Sequence, residues 1–443
     1  MKKFYALLSL ILLSFCFILT GCKDGLPMPK SDAIVVGNSG FVAQKGEYIY
    51  FANAYTGYNT LNSGVTNKEG DVVEYGLYRV KVKDIQTKEI EFDENGYAKN
   101  VETVVSKVVG FENSNFYIVG DYLYFSSPSM HKNSSNETMY DLISIFRVKL
   151  DGTGLKEVYY TRNATNGDFA IFNFDGKDYL ITVEGEEVIK HELTKSGVDN
   201  KKVLVSDLTS TILVDEIKKE SDKKLVYLTK RSQADIDAGV VGNVMKSVNL
   251  QTGQVEVLSD NVGETITLVS RKNGALIYSK NDSQGNTYHY VKDFDSQDKK
   301  IISISGVSNA VYLDSNLPIV FKYQNKLVMQ QQNSIKIEVL VDENVTILFT
   351  NGNYVYYSNS TGIGRANTTT KQSEMIAEVT GFQANAFDFD GRYIYFFNTT
   401  SNDTTKTKYI QRIDTYLFEQ SQTIVSPEVF ANLLEDDKKT DEK

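Results

Sequence analysis

A formal net charge of −10 over 443 residues, from 57 acidic and 47 basic side chains, argues against a nucleic-acid partner and against tight docking on anionic lipid. The only two cysteines, Cys16 and Cys22, lie near the start, so the body of the chain has no thiol for a disulfide, a metal or a covalent intermediate. The 28 Tyr and 23 Phe beside only 5 Pro suit pleated, half-buried strands whose turns use Gly, Asn and Asp.

In chain order, Lys2 and Lys3 precede an almost unbroken apolar run from Ala6 to Leu19, followed by Thr20-Gly21-Cys22. The run is roughly 14 residues against about 20 needed to cross a bilayer, so residues 1–21 read as a cleaved secretory segment. The Leu19-Thr20-Gly21-Cys22 ending resembles a bacterial lipoprotein signal. That resemblance implies that Cys22 becomes the first mature residue, carries acyl chains such as palmitate, and holds the protein on the extracytoplasmic face of the cell membrane. One acyl chain attaches only reversibly, so stable retention calls for more than one. Removing Lys2 and Lys3 takes the formal charge from −10 to −12, which keeps the domain soluble beside the membrane. Residues 22–32, with Pro27 and Pro29, read as a short tether.

From residue 33 to 426 one pattern recurs. Gly46-Glu47-Tyr48-Ile49-Tyr50-Phe51 is echoed by Gly120-Asp121-Tyr122-Leu123-Tyr124-Phe125, Gly352-Asn353-Tyr354-Val355-Tyr356-Tyr357 and Gly391-Arg392-Tyr393-Ile394-Tyr395-Phe396. A partner strand follows as Leu77-Tyr78-Arg79-Val80-Lys81-Val82, Ile145-Phe146-Arg147-Val148-Lys149-Leu150 and, more loosely, Tyr409-Ile410-Gln411-Arg412-Ile413-Asp414. Weaker copies begin near Tyr179, Leu225, Leu276 and Ile319. Alternation of apolar and polar residues ending in Gly, Asn or Asp turns marks antiparallel strands, and an all-β unit repeating at about 40–50 residues predicts a β-propeller of four-stranded blades. Eight blades are expected, with seven as the alternative because the sixth and seventh units are short. Strands are named a to d from the axis outward. In blade four the apolar run places strand a at Thr211–Ile217.

Ile34-Val35-Val36-Gly37 resembles the segments that precede blades two and eight, so Ile34–Val36 is expected to complete the last blade beside Gln422–Val425, or in its place. Residues 427–443 are dense in charge, and a disordered tail is expected there.

The Gly-Asp-Tyr-Leu-Tyr-Phe and Phe-Arg-Val-Lys-Leu-Asp-Gly-Thr units resemble an uncharacterised β-propeller domain of lipoproteins from low-GC Gram-positive bacteria, which is itself similar to TolB-type and low-density-lipoprotein-receptor-type propellers. The likeness is good over blades one, two, seven and eight and poor over residues 165–345. It implies fold and location but no activity and no site residues.

The chemistry-bearing residues are scattered. His131, His191 and His289 have no second ligand at metal spacing, so a structural or solvated role is expected for each. Asp293 to Asp298 lacks the fixed Gly and terminal Glu of a calcium loop. Asp388 and Asp390 sit beside a turn that explains them as caps, and neither a serine elbow nor a phosphate loop occurs. No catalytic residue, metal or cofactor is expected.

The insertions are more informative. The b–c connections are long in blades one, two, four and eight, and those of eight, one and two share a rim of one face. They carry Tyr55, Tyr58, Tyr75, Met130, His131 and Tyr140 among Asn, Ser and Thr. Aromatic anchors among adaptable polar residues on a rigid scaffold suit a binding surface. The sequence therefore predicts a monomeric, lipid-anchored binding or scaffolding module for a protein, peptide or glycan. The alternative is an extracytoplasmic enzyme acting on carbohydrate or peptide at the channel mouth.

Overall fold

The computed structural model describes residues 36–37 and 42–423, apart from 53–75, 87–100, 106–115, 130, 138, 140–141, 162–163, 196, 213–222, 273–274, 282–286, 294–298, 303–306, 313–317, 332–333, 335, 380–386, 390, 400–407 and 417–421. The proposed signal segment, tether and charged tail lie outside the described residues.

The described strands form eight antiparallel sheets, seven of four consecutive strands and one in which four consecutive strands are joined by a fifth from the start of the chain. Blade one comprises Val42–Lys45, Tyr48–Ala52, Leu77–Lys81 and Val101–Val105. Blade two comprises Phe116–Val119, Tyr122–Pro128, Ile143–Lys149 and Lys156–Thr161, and blade three Ala164–Phe174, Lys177–Glu184, Glu187–Thr194 and Gly197–Val205. Blade four is Leu208–Ile212, Lys224–Lys230, Asn243–Asn249 and Val255–Ser259; blade five is Thr265–Lys272, Ala275–Asn281, Thr287–Asp293 and Lys299–Ile302. Blade six is Ser308–Tyr312, Ile319–Tyr323, Lys326–Gln330 and Ile337–Val341; blade seven is Thr346–Asn351, Tyr354–Ser358, Gly362–Asn367 and Ser373–Glu378. Blade eight ends the ring with Phe387–Phe389, Tyr393–Thr399, Lys408–Asp414 and Gln422–Thr423. The molecule is an eight-bladed β-propeller.

Strand a of blade four touches that of five, five touches six, and six touches seven, so these strands line the axis. At the rim Val203, Val257, Val339 and Met375, all on strand d, are exposed. The buried aliphatic and aromatic side chains cluster between neighbouring blades: Phe349 of blade seven, for example, stacks on Phe389 of blade eight at 4.2 Å. Blade four corrects the expected strand a. It begins at Leu208, which is buried and pairs with Thr229, and is described as far as Ile212, while residues 213–217 of the expected strand lie outside the described residues.

The recurring Tyr-x-Tyr and Arg have a specific use. In blades one, two, seven and eight the second tyrosine pairs across from the strand-c arginine: Tyr50 with Arg79, Tyr124 with Arg147, Tyr356 with Arg365 and Tyr395 with Arg412. The first tyrosine lies under the same guanidinium, at 4.4 Å for Arg79 on Tyr48 and 4.0 Å for Arg412 on Tyr393. The cation then reaches into the following blade. Arg79 donates to the Leu150 carbonyl at 2.7 Å, Arg147 to the Thr194 carbonyl at 2.9 Å, and Arg365 to the Thr415 carbonyl at 3.4 Å. In blade three Lys190 takes this place and donates to the carbonyls of Leu250 and Gln251. Each acceptor lies at the end of strand c of the next blade or in the turn after it.

Closure differs from expectation. Val36–Gly37 does not join blade eight, whose outer place is held by its own Gln422–Thr423. It pairs antiparallel with strand a of blade two, Val36 opposite Tyr117 and Gly37 opposite Phe116. That strand has its other edge bonded to strand b, so the entry strand lies on the axis side of the blade, where an edge was free. Ile34 and Val35 lie outside the described residues. The ring itself closes by packing of blade one against blade eight. Tyr395 is buried in the blade-one core, and Asp388 Oδ2 accepts a 3.0 Å bond from the Val42 backbone N–H.

Candidate functional site

Strand a runs from the face bearing the b–c and d–a connections to the face bearing the a–b and c–d turns. Of the aromatic-rich loop residues predicted on the first face, Tyr55, Tyr58, Tyr75, Met130 and Tyr140 lie outside the described residues. His131 is described, and it sits in a loop that holds its own shape. The Ser129 amide donates to the Leu142 carbonyl and the Met139 amide to the His131 carbonyl. The Asn133 side chain accepts from the amides of Ser135 and Glu137 and donates to the Glu137 carboxylate. An Asn closing a turn on its own backbone needs no core to support it.

This loop lays the His131 ring on Tyr160 of strand d, 4.1 Å between centroids. His131 Nε2 is 2.8 Å from Glu157 Oε1, and the Ser144 hydroxyl donates to Glu157 Oε2 at 2.6 Å. Tyr160 is 49% exposed. The result is a pre-ordered patch of imidazole, phenol and carboxylate on the b–c face of blade two.

Behind it, between blades two and three, Glu184 is buried and accepts three hydroxyl bonds: Tyr159 at 2.8 Å, Thr161 at 2.8 Å and Thr182 at 2.7 Å. Burial and the Glu184 carboxylate raise the Tyr159 pKa, which keeps the phenol a donor. His191 packs on Tyr159 at 4.4 Å and is 1% exposed; burial pushes its pKa down to about 4, so it is neutral at physiological pH. Its Nε2 is buried without a hydrogen-bond partner among the described residues. His289 in blade five is likewise buried, and burial lowers its pKa.

The order of bonds decides what the patch does chemically. Ser144 and His131 both bond to Glu157, so the imidazole is not placed to take the serine proton, and the three are not a nucleophilic relay. Among the described residues no group of three His, Cys, Asp or Glu side chains is arranged to hold a metal. What remains is a surface offering an aromatic face, hydrogen-bond donors and a carboxylate. Sequence reasoning selected His131 but missed Glu157, Tyr160, Tyr159 and Glu184. Tyr159-Tyr160-Thr161 was the available signal, because alternation turns residues 159 and 161 toward one side and 160 toward the other.

No family model matches the chain, and no curated protein is recognisably similar to it in sequence. Solved structures resemble it at low identity. A puromycin hydrolase is 12% identical with a TM-score of 0.46, over 70% of this chain and 54% of that one. A eukaryotic initiation factor is 12% identical with a TM-score of 0.48, over 80% and 93%. TolB from Acinetobacter baumannii is 13% identical with a TM-score of 0.31, over 63% and 59%. The chain thus spans about half the length of the hydrolase. None of these likenesses speaks to chemistry, and the fold rests on the strand pairing itself.

Proposed function

We propose that the protein is a lipid-anchored extracytoplasmic lipoprotein whose propeller binds or scaffolds a protein, peptide or glycan through its b–c face. The observation that carries the reading is the pre-ordered patch of Tyr160, His131 and Glu157, fixed by a self-bonded loop and adjoining the rim where the aromatic-rich insertions of blades one and two emerge. A rigid exposed aromatic costs little entropy to use and suits a binding anchor. The alternative is an extracytoplasmic enzyme acting on carbohydrate or peptide at the channel mouth, and it is the weaker reading because the described His131, Ser144 and Glu157 form no nucleophilic relay.

Two expected results follow from this reading. Cys22→Ser, expressed in a lipoprotein-processing bacterium, should shift the domain from the membrane fraction to the medium or leave it uncleaved. Correctly cleaved mutant protein still partitioning with membranes would remove the anchor from the account. For the face, Tyr160→Ser with His131→Ala should abolish recovery of the partner retained by wild-type protein from envelope extracts and leave the urea midpoint nearly unchanged, since both side chains are partly exposed. Asp235→Asn with Asp237→Asn, in the blade-four loop, is the control. Loss of the partner in the control and not in the tyrosine variant would place binding on another rim.

A further inference from the structure

We infer that the face bearing the a–b and c–d turns lies against the membrane, so that the b–c face is presented outward. This rests on the anchor proposed at Cys22 and adds to it the orientation of the disc. The first support is the direction of the entry strand. Strand a of blade two runs toward its a–b turn at Gly120, and Val36–Gly37 pairs with it antiparallel, with Val36 opposite Tyr117 and Gly37 opposite Phe116. The chain therefore enters the propeller from the a–b and c–d side and climbs along the axis, so an anchor at Cys22 would draw that side toward the lipid. The 14 residues from Cys22 to Val36 span at most about 50 Å fully extended. Reaching the opposite face around the rim would take roughly 20 Å outward past four strands and their side chains, and about 20 Å more along the strands, nearly the whole tether.

The second support is how the two faces are built. On the a–b and c–d side the turns bond to one another. The amides of Val82, Leu150, Leu250, Thr368 and Thr415, each just after strand c, donate to the carbonyls of Glu47, Asp121, Lys223, Asn353 and Arg392 in the a–b turns. Within blades one, two, four, seven and eight these bonds tie the turn after strand c to the a–b turn. The other side carries the long b–c insertions of blades one, two, four and eight, and there Glu186, Asp207, Asp260 and Asp342 are paired with Lys230, Lys246, Arg231 and Lys326.

The chain has no tryptophan, so one introduced indole reports its own surroundings. Leu155, exposed beside the c–d turn of blade two, and Val241, exposed in the b–c loop of blade four, are the reporter positions. The full-length Leu155→Trp and Val241→Trp proteins, expressed in a lipoprotein-processing bacterium, are taken from membranes into phosphatidylcholine and phosphatidylglycerol vesicles with a spin label on the headgroups. The indole at 155 should be quenched at least about two-fold more than the one at 241. Equal quenching, or stronger quenching at 241, overturns the orientation and leaves the anchor standing. Protein that does not stay with the membranes overturns the anchor, and the orientation falls with it.

Discussion

Arg365→Ala should lower the unfolding free energy by about 3 kcal/mol, read as a lower urea midpoint at unchanged slope. Arg365 is among the largest fully buried side chains. Its side chain is 2% exposed, lies 4.2 Å over Tyr354, donates twice to Glu374 at 2.9 and 2.7 Å, and reaches the Thr415 carbonyl of blade eight. Alanine removes the packing of the long stem, the contact with the ring and the bond to the next blade together. Because Glu374 is 53% exposed it regains water, which keeps the loss below that of a wholly buried pair. Arg365→Lys should recover only part, since an ammonium has no fork to serve the carboxylate and the carbonyl at once. A variant within about 0.5 kcal/mol of wild type would show that these contacts are incidental to the blade interface.

Acidification should destabilise the fold through His191. Its folded pKa, about 4, lies below the ordinary 6.5 because the ring is buried against Tyr159; Lys201 adds to the depression and Glu184 opposes it. A depressed histidine contributes stability that is fully present above the unfolded pKa. As pH falls from 6.5 toward 4 the unfolded chain takes up a proton that the folded one refuses, and the stability is lost. At pH 5 the deficit is about 2 kcal/mol, at 1.36 kcal/mol per pH unit. His191→Leu should flatten that part of the pH dependence, and His289, depressed in the same direction, adds to it with the same sign. Identical slopes for wild type and His191→Leu between pH 7 and 5 would assign the acid sensitivity elsewhere.

How much was legible in the sequence depends on which blade is read. Blades one, two, seven and eight announce themselves through Gly-x-Tyr-x-Tyr and a strand-c Arg because each tyrosine has a mechanical task that few other residues fill. Between 165 and 345 the pattern fades for a physical reason. Val226, Ile277 and Val320 point into the following blade and pair across from Ser247, Val291 and Met329, so aliphatic packing replaces the ring and the cation. Such packing accepts many sequences and leaves no motif. The entry strand was misassigned because its apolar pattern shows that it pairs, while the choice of edge depends on which edge is free once the ring is built. The patch at blade two was half legible. His131 stood in a visible insertion, but Glu157 and Tyr160 come from a strand whose outward residues look like ordinary rim.

The bonds from each strand-c cation to the next blade have a direction, and their distribution sets the order in which the ring comes apart. Blades one to four are joined in succession by Arg79, Arg147 and Lys190, and seven is joined to eight by Arg365. At the matching places in four, five and six stand Ser247, Val291 and Met329, which have no cation to donate. Local opening then belongs to the arc from blade four to blade seven, while blades seven and eight, which close onto blade one, persist with blades one to four. Amide hydrogen exchange on the native protein should find strand b of blades five and six exchanging ahead of strand b in blades one, two and seven. The propeller would behave as one stiff arc closed by a softer one, with the blade-two patch and the entry strand both on the stiffer part.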